Sequence, residues 1–329
     1  MAEYTNYEKA VALGYEGSRG TEATELQALI PCDLDSNIDF GPEFEEDEKI
    51  RGVKSRFAPE KTGDMGEGSI TGVPVEPETI GYFLHSLFGS VSSVETVAGT
   101  VYTHTFSAVT GLQKPSYSIV FDRDVNKKAY LLSVIGGMSL SIPTAGKLVA
   151  DFDIICKNED DSTLTLPSII EPNPFDNIDT GIYIADKGSS KPGSPNGEIV
   201  EMSLSFSDDT FGKDTINQSA LVQDVVSPTP PEISGSFTIH FTDANQRDNF
   251  LGGVEQAIWI ECIGGTIDPS NDYKLEIELF NVTYKAYPYD DVDGVLASAV
   301  EFDAYYSVSD GGVIEADLVN TIAEYGAVS

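Results

Sequence analysis

Runs of Val, Ile, Thr, Tyr and Phe, alternating with polar residues and cut short by Gly, Asp or Pro, recur along most of the chain. A period of two suits a half-buried strand, because successive side chains point to opposite faces of a sheet. Strands are expected on this pattern over residues 26–34, 69–75, 100–107, 116–122, 130–142 and 148–157. A second set is expected over 198–207, 236–242, 257–263, 273–287 and 295–308. Helical spacing is scarce. The best match is 77–88, where Ile80, Phe83, Leu84, Leu87 and Phe88 recur at helical intervals behind Pro77 and before a Gly89 placed to stop the helix. The expected fold is mainly β.

At 329 residues, 40% hydrophobic and 10% aromatic, the chain can bury enough apolar surface to offset the entropy of ordering. Its 54 acids against 19 bases leave a charge of −35, which excludes a phosphate-binding groove of Lys and Arg or a basic membrane-surface patch. Adaptation to high salt is a second cause of such a charge. Cys32, Cys156 and Cys262 are widely spaced and form no C-x-x-C pair, so buried free thiols are expected. The start of the chain carries Glu3, Glu8 and Lys9 without a secretory apolar core, and no uncharged run nears the roughly 18 residues of a membrane helix. A protein folded in a reducing cytoplasm, without membrane insertion, is the expectation.

Residues 158–177 have a linker's composition, rich in acids, Ser and Thr and leading into Pro167, Pro172 and Pro174. Domains are therefore expected at 1–160 and 178–329, joined by 161–177. The order of elements recurs between them. Gly68-Ser69-Ile70-Thr71 opens a strand that leads into the first helix, and Gly235-Ser236-Phe237-Thr238 opens one that leads through Asp243 into a short helical stretch from Asn245 to Leu251. Each half closes on a long hairpin whose return strand carries a matching phrase, Ala150-Asp151-Phe152-Asp153 or Val300-Glu301-Phe302-Asp303. A long polar loop precedes each Gly-Ser strand, at 40–67 and at 208–234; loops of that length usually serve binding or remain mobile. Internal duplication is the expectation from this order.

Chemistry is hard to find. His85, His104 and His240 lie in no H-x-x-H or H-E-x-x-H frame, and packing is the expected role of each. Asp290-Asp291-Val292-Asp293-Gly294 superficially suits calcium, but placing Gly294 sixth puts Tyr289 first and Val300 twelfth, so two ligands fail. A hairpin turn at Asp-Gly accounts for it better. Gly63-Asp64-Met65-Gly66-Glu67-Gly68 carries acids where a phosphate would sit. Catalytic, cofactor-binding and metal residues are therefore expected to be absent, and no enzyme is expected. The densest charge is in the first loop, where Glu43, Glu45, Glu46, Asp47 and Glu48 are followed by Lys49, Arg51, Lys54, Arg56 and Lys61. An acidic front and a basic back suit a surface that pairs with another copy.

The phrases Gly14-Tyr15-Glu16, Gly20-Thr21-Glu22, Leu29-Ile30-Pro31, Ile80-Gly81-Tyr82-Phe83-Leu84 through Gly89, Tyr102-Thr103-His104-Thr105-Phe106 and Pro115-Ser116-Tyr117-Ser118 resemble those of the tail tube, or major tail, proteins of long-tailed, non-contractile bacteriophages. The resemblance covers about residues 14–157 well and the second half through the order of elements. It implies two tandem β-sandwich or barrel domains, each with one short flanking helix and a long loop. It also implies hairpins that join those of neighbouring chains into a closed inner barrel, lined here by 130–157 and 273–308. Most members form hexameric rings from one such domain, so a duplicated chain implies a trimer that imitates a hexamer. The partners implied are the chain itself, within and between rings, and the tape measure, terminator and baseplate or tip proteins at the tube ends. DNA would pass without specific binding through a virion tail made in the host cytoplasm. Glu43, Glu45, Glu46, Asp47, Glu48, Lys49, Arg51, Lys54 and Arg56 become candidates for contact between rings. Asp151, Asp153, Glu276, Glu278, Glu301 and Asp303 become candidates for lumen charge. An acidic β-sandwich binding module, such as an adhesin or a decoration protein, is the alternative, and a hydrolase using paired carboxylates a third reading.

Overall fold

The chain opens with β1 (Ala10–Tyr15), β2 (Ala28–Ile30), β3 (Asn37–Glu45) and β4 (Glu60–Pro74), followed by helix α1 (Ile80–Phe88). Next come β5 (Gly89–Val97), β6 (Val101–Ala108), β7 (Tyr117–Asp122), β8 (Lys127–Ile142), β9 (Val149–Cys156) and β10 (Asn158–Asp161). The second half holds β11 (Thr180–Asp186), β12 (Ile199–Ser207), β13 (Phe211–Lys213), β14 (Asp224–Val226), β15 (Glu232–His240) and helix α2 (Asn245–Gly252). It ends with β16 (Gln256–Asp268), β17 (Asn271–Ala286), β18 (Tyr289–Val292), β19 (Val295–Ala304) and β20 (Ile314–Asn320). This computed structural model describes residues 9–46, 58–109, 111–123, 126–216 and 219–326.

Helix α1 starts at Ile80, three residues after the expected Pro77, and stops where expected, at a left-handed Gly89 (φ 89°) whose N–H donates to the His85 carbonyl. It is buried on every side. Phe83 stacks on Phe152 of β9 at 4.0 Å, and Gly81 touches Tyr325 so closely that a Cβ there would lie 2.1 Å from the ring. By contrast, α2 buries none of its residues, although a left-handed Gly253 (φ 61°) ends it in the same way.

Antiparallel pairing runs through one long sheet in the order β3-β4-β9-β8-β12-β15-β19, with β17 and then β18 on the far side of β19. Its buried face packs on α1 and on two covering sheets. In one, β7 lies between β1 and the start of β8, which also pairs with β10; in the other the order is β11-β16-β17-β20-β6-β5. β8 and β17 each belong to both layers, and each changes layer at a bulge. Tyr117 and Ile119 of β7 face Ser133 and Tyr130, while Gln256 and Ile258 of β16 face Val282 and Leu279. In both places the long strand spends one residue more than its partner, which bends it from one sheet into the other.

The pairing order therefore recurs: β3-β4-β9-β8 in the first half, β12-β15-β19-β17 in the second. The two return-strand phrases pair two residues out of step, since Ile70 faces Phe152 but Phe237 faces Val300. A shift of two keeps every side chain on its face. The halves also share one core. β8 continues into β12 through Leu140 opposite Leu204 and Met138 opposite Phe206, and β20 pairs with β6.

Three stretches expected to be loop or linker carry more structure. The 40–67 region holds the arms of the β3–β4 hairpin up to Glu45 and from Glu60. Residues 208–234 include the small β13–β14 hairpin, which is folded sideways onto the first half: Arg19 bonds Asp224 at 2.8 Å and Lys157 donates to the Gln223 carbonyl at 2.9 Å. In the 158–177 stretch, β10 joins β8, and Phe175 is fully buried with its backbone bonded to Val75 and Leu148.

Candidate assembly surface

Alternation along the long sheet sends Ala150, Phe152, Ile154, Val300 and Phe302 into the core and leaves Asp151, Asp153, Glu301 and Asp303 on the opposite, solvent-facing side. The neighbouring strands add Ser139 and Ser141 of β8, Ser203, Ser205 and Ser207 of β12, and Ser234 and Ser236 of β15 to that face. Four more acids share it by register: Asp39 opposite Glu67, Glu201 opposite Thr238, and Glu232 opposite Ser207. The sequence reasoning missed these four, although the run Glu201-Met202-Ser203-Leu204-Ser205-Phe206-Ser207 displays the necessary alternation. Lys285 of β17 is the base these strands bring to the face, bonded to Asp303 at 2.8 Å. The result is a broad serine-lined surface of negative sign.

Glu276 and Glu278 stand apart from that surface. β17 is still in the covering sheet at these positions, where Glu276 faces Glu261 and Asp317 and Glu278 faces Trp259 and Glu315. Lys191 and Lys274 bridge Glu261 and Glu276 at 2.5–3.1 Å. Burial alone would raise the Glu261 carboxyl, but bonds from both lysines and from Tyr183 hold it down at about 2. For Glu278, burial dominates and pushes the carboxyl up.

The first loop is only partly in view. Glu43, Glu45 and Glu46 lie at the exposed end of β3, and Lys61 bonds Asp64 at 2.6 Å. Asp47, Glu48, Lys49, Arg51, Lys54 and Arg56 lie outside the described residues.

The candidate chemical groups are dispersed. His85 bonds the Tyr117 hydroxyl at 2.8 Å in the core, and burial pushes its imidazole down to about 4. His104 bonds Ser93, Asn320 and the Ile322 carbonyl, and burial lowers it too. Cys32, Cys156 and Cys262 are free thiols; burial pushes the last two up to about 12. Among the described residues no cluster of His, Cys, Asp and Glu could hold a metal ion, and no helix is long and apolar enough to cross a membrane. Asp293 (φ 52°) and Gly294 (φ 83°) form a two-residue hairpin turn between Val292 and Val295, as Asp-Gly at such a place should.

Three of the phrases that carry the family resemblance meet in space. Glu16 is buried and accepts four hydrogen bonds: from the Gly20 N–H and Ser116 hydroxyl at 2.7 Å, the Ser118 hydroxyl at 3.1 Å and the Leu132 N–H at 2.7 Å. Leu132 is the residue at which β8 bends, and it holds a left-handed conformation (φ 52°). Glu16 thus fixes the corner that carries β8 into the long sheet.

Comparison with family models matches residues 7–318 to the phage tail tube protein family. Comparison with curated proteins finds no match.

Proposed function

Because the chain belongs to the phage tail tube protein family, whose members are structural components of the virion tail, we propose that it polymerises as stacked rings of three chains around a DNA conduit. The observation that carries this reading is the continuity of the long sheet. Each half contributes four strands in the same order, and β8 of the first half pairs directly with β12 of the second. The sheet then ends at two edges, β3 and the β17–β18 side, and edges of this kind invite pairing with another chain. A contact joining one edge to a different edge is head-to-tail, and its repetition closes a ring when three such rotations complete a full turn. Three duplicated chains would bring six four-strand units to it.

In such a ring the acidic, serine-lined face turns to the hole. Asp151, Asp153, Glu301 and Asp303, with Asp39, Glu67, Glu201 and Glu232, would repel the duplex over a Debye length of about 8 Å at physiological salt, so passing DNA finds no phosphate contact to hold it. Glu276 and Glu278, on the covering sheet, would lie away from this lining. Glu43, Glu45, Glu46, Asp47 and Glu48, with Lys49, Arg51, Lys54 and Arg56, would contact the next ring along the axis. A second reading of that loop is favoured by the sideways packing of the β13–β14 hairpin on the first half: the first loop clasps the neighbouring chain within the ring. Tape measure, terminator and baseplate or tip proteins would cap the tube. Electron microscopy of the purified protein tests the proposal, which expects hollow rings or tubes; monomers at high concentration in both low and high salt would refute it.

A further inference from the structure

We infer that the free edge of β3 in one copy pairs with the β17–β18 edge of the next in the register that β8 and β12 already show within the chain, which sets Asp39 of one copy beside Lys285 of the next. The inference rests on the ring reading and specifies its contact.

The internal junction is the template. There Ser139 faces Ser205 on the polar side and Leu140 faces Leu204 on the core side. β12 and β3 hold equivalent places, since Ser203 faces Ser236 as Asn37 faces Ser69. Ser205 therefore corresponds to Asp39, and Leu204 to Ile38. On the other edge Ser139 faces Asp151 as Ala286 faces Glu301, so Ser139 corresponds to Ala286. A register break at Lys285 places that residue beside Ala286, and its bond to Asp303 holds it on the polar side. Each equivalence is taken within its own hairpin, because the β4–β9 and β15–β19 pairings differ by two residues; transferring the junction on that basis puts Asp39 opposite Ala286, within reach of the Lys285 ammonium.

Three features fit a second copy as the occupant. Among the described strands β3 pairs with β4 alone and β18 with β19 alone. The Pro288 carbonyl accepts the Ala299 N–H at 3.2 Å, so the N–H that proline lacks would have pointed at β19, and the outward groups of Tyr287 and Tyr289 stay free to pair. Apolar side chains are exposed along both edges: Tyr289, Val295 and Leu296 on one, Phe44 on the other. At the internal junction Ile142, which corresponds to Tyr289, is buried. For a chain of charge −35, a lysine at one edge and an aspartate at the other gives a local attraction that also fixes register.

Charge reversal tests the contact. Lys285→Glu or Asp39→Lys alone should raise the concentration needed for ring formation by roughly tenfold or more, and the combined swap should restore it. As a second measurement, Asp39→Cys with Ala286→Cys under oxidation should give covalent dimers and trimers on a non-reducing gel, which neither single variant gives. If the unaltered chain forms rings but the reversals have no effect and no covalent species appear, the register is wrong and the ring reading stands. If the unaltered chain forms no rings, both fall.

Discussion

At the residue scale the fold depends on a few buried polar groups that each settle a backbone path. Glu16 is the clearest. Its carboxylate takes four donors from three separate segments, one of them the N–H of Leu132 in its left-handed bend. An amide in place of this carboxylate turns a donor toward groups that already donate, so Glu16→Gln should cost about 2 kcal/mol or more in denaturant unfolding. Glu16→Ala should cost at least as much. His85 makes a pH-dependent contribution of known sign. Its folded pKa is about 4 against an ordinary 6.5, so between these values the unfolded chain binds a proton that the folded chain does not. Stability from this group is full above pH 6.5 and is lost as pH falls toward 4, by up to about 3 kcal/mol. His85→Gln, which keeps a hydrogen-bonding side chain without the titration, should flatten that part of the stability–pH curve relative to the unaltered protein.

At the scale of elements, the parts legible in the sequence are those whose alternation is unbroken. β9 and β19 show their acidic and apolar faces directly, and Gly89 marks the end of α1. The β3–β4 hairpin was not legible because its outer arms, residues 43–45 and 60–68, are rich in Glu and Gly and lack a buried apolar row. β1, β5 and β11 were missed as well. Glu276 and Glu278 share the alternation of the lumen candidates, yet β17 leaves the covering sheet only between Leu279 and Val282. A bulge of one residue leaves no periodic trace, so face assignments carried across it fail. The join between halves was equally hidden. Lys114 and Asp208 form a buried ion pair, and Lys114 also donates to the Leu87 carbonyl at 2.7 Å in the last turn of α1. Nothing in the spacing of those residues relates them. Breaking such a pair strands the other charge, so Lys114→Met should destabilise by about 3–5 kcal/mol, whereas Lys114→Met with Asp208→Leu should recover much of the loss. Thermal unfolding of the unaltered chain and these two variants measures this.

At the scale of the whole molecule, one long sheet gives the chain an acidic face and, among the described strands, two unmatched edges. The halves meet through β8 and β12 as copies are proposed to meet through their outer edges, so assembly repeats a contact the monomer already contains. High net charge opposes that assembly, and raised salt should favour it by screening repulsion between acidic faces. The most direct measurement is a cryo-electron microscopy map of the assembled particle. The account predicts threefold rings in which the long sheet runs unbroken from chain to chain, with Asp151, Asp153 and Glu301 facing the central hole. A particle in which those side chains point outward, or in which the edges of β3 and β18 remain unpaired, would contradict it.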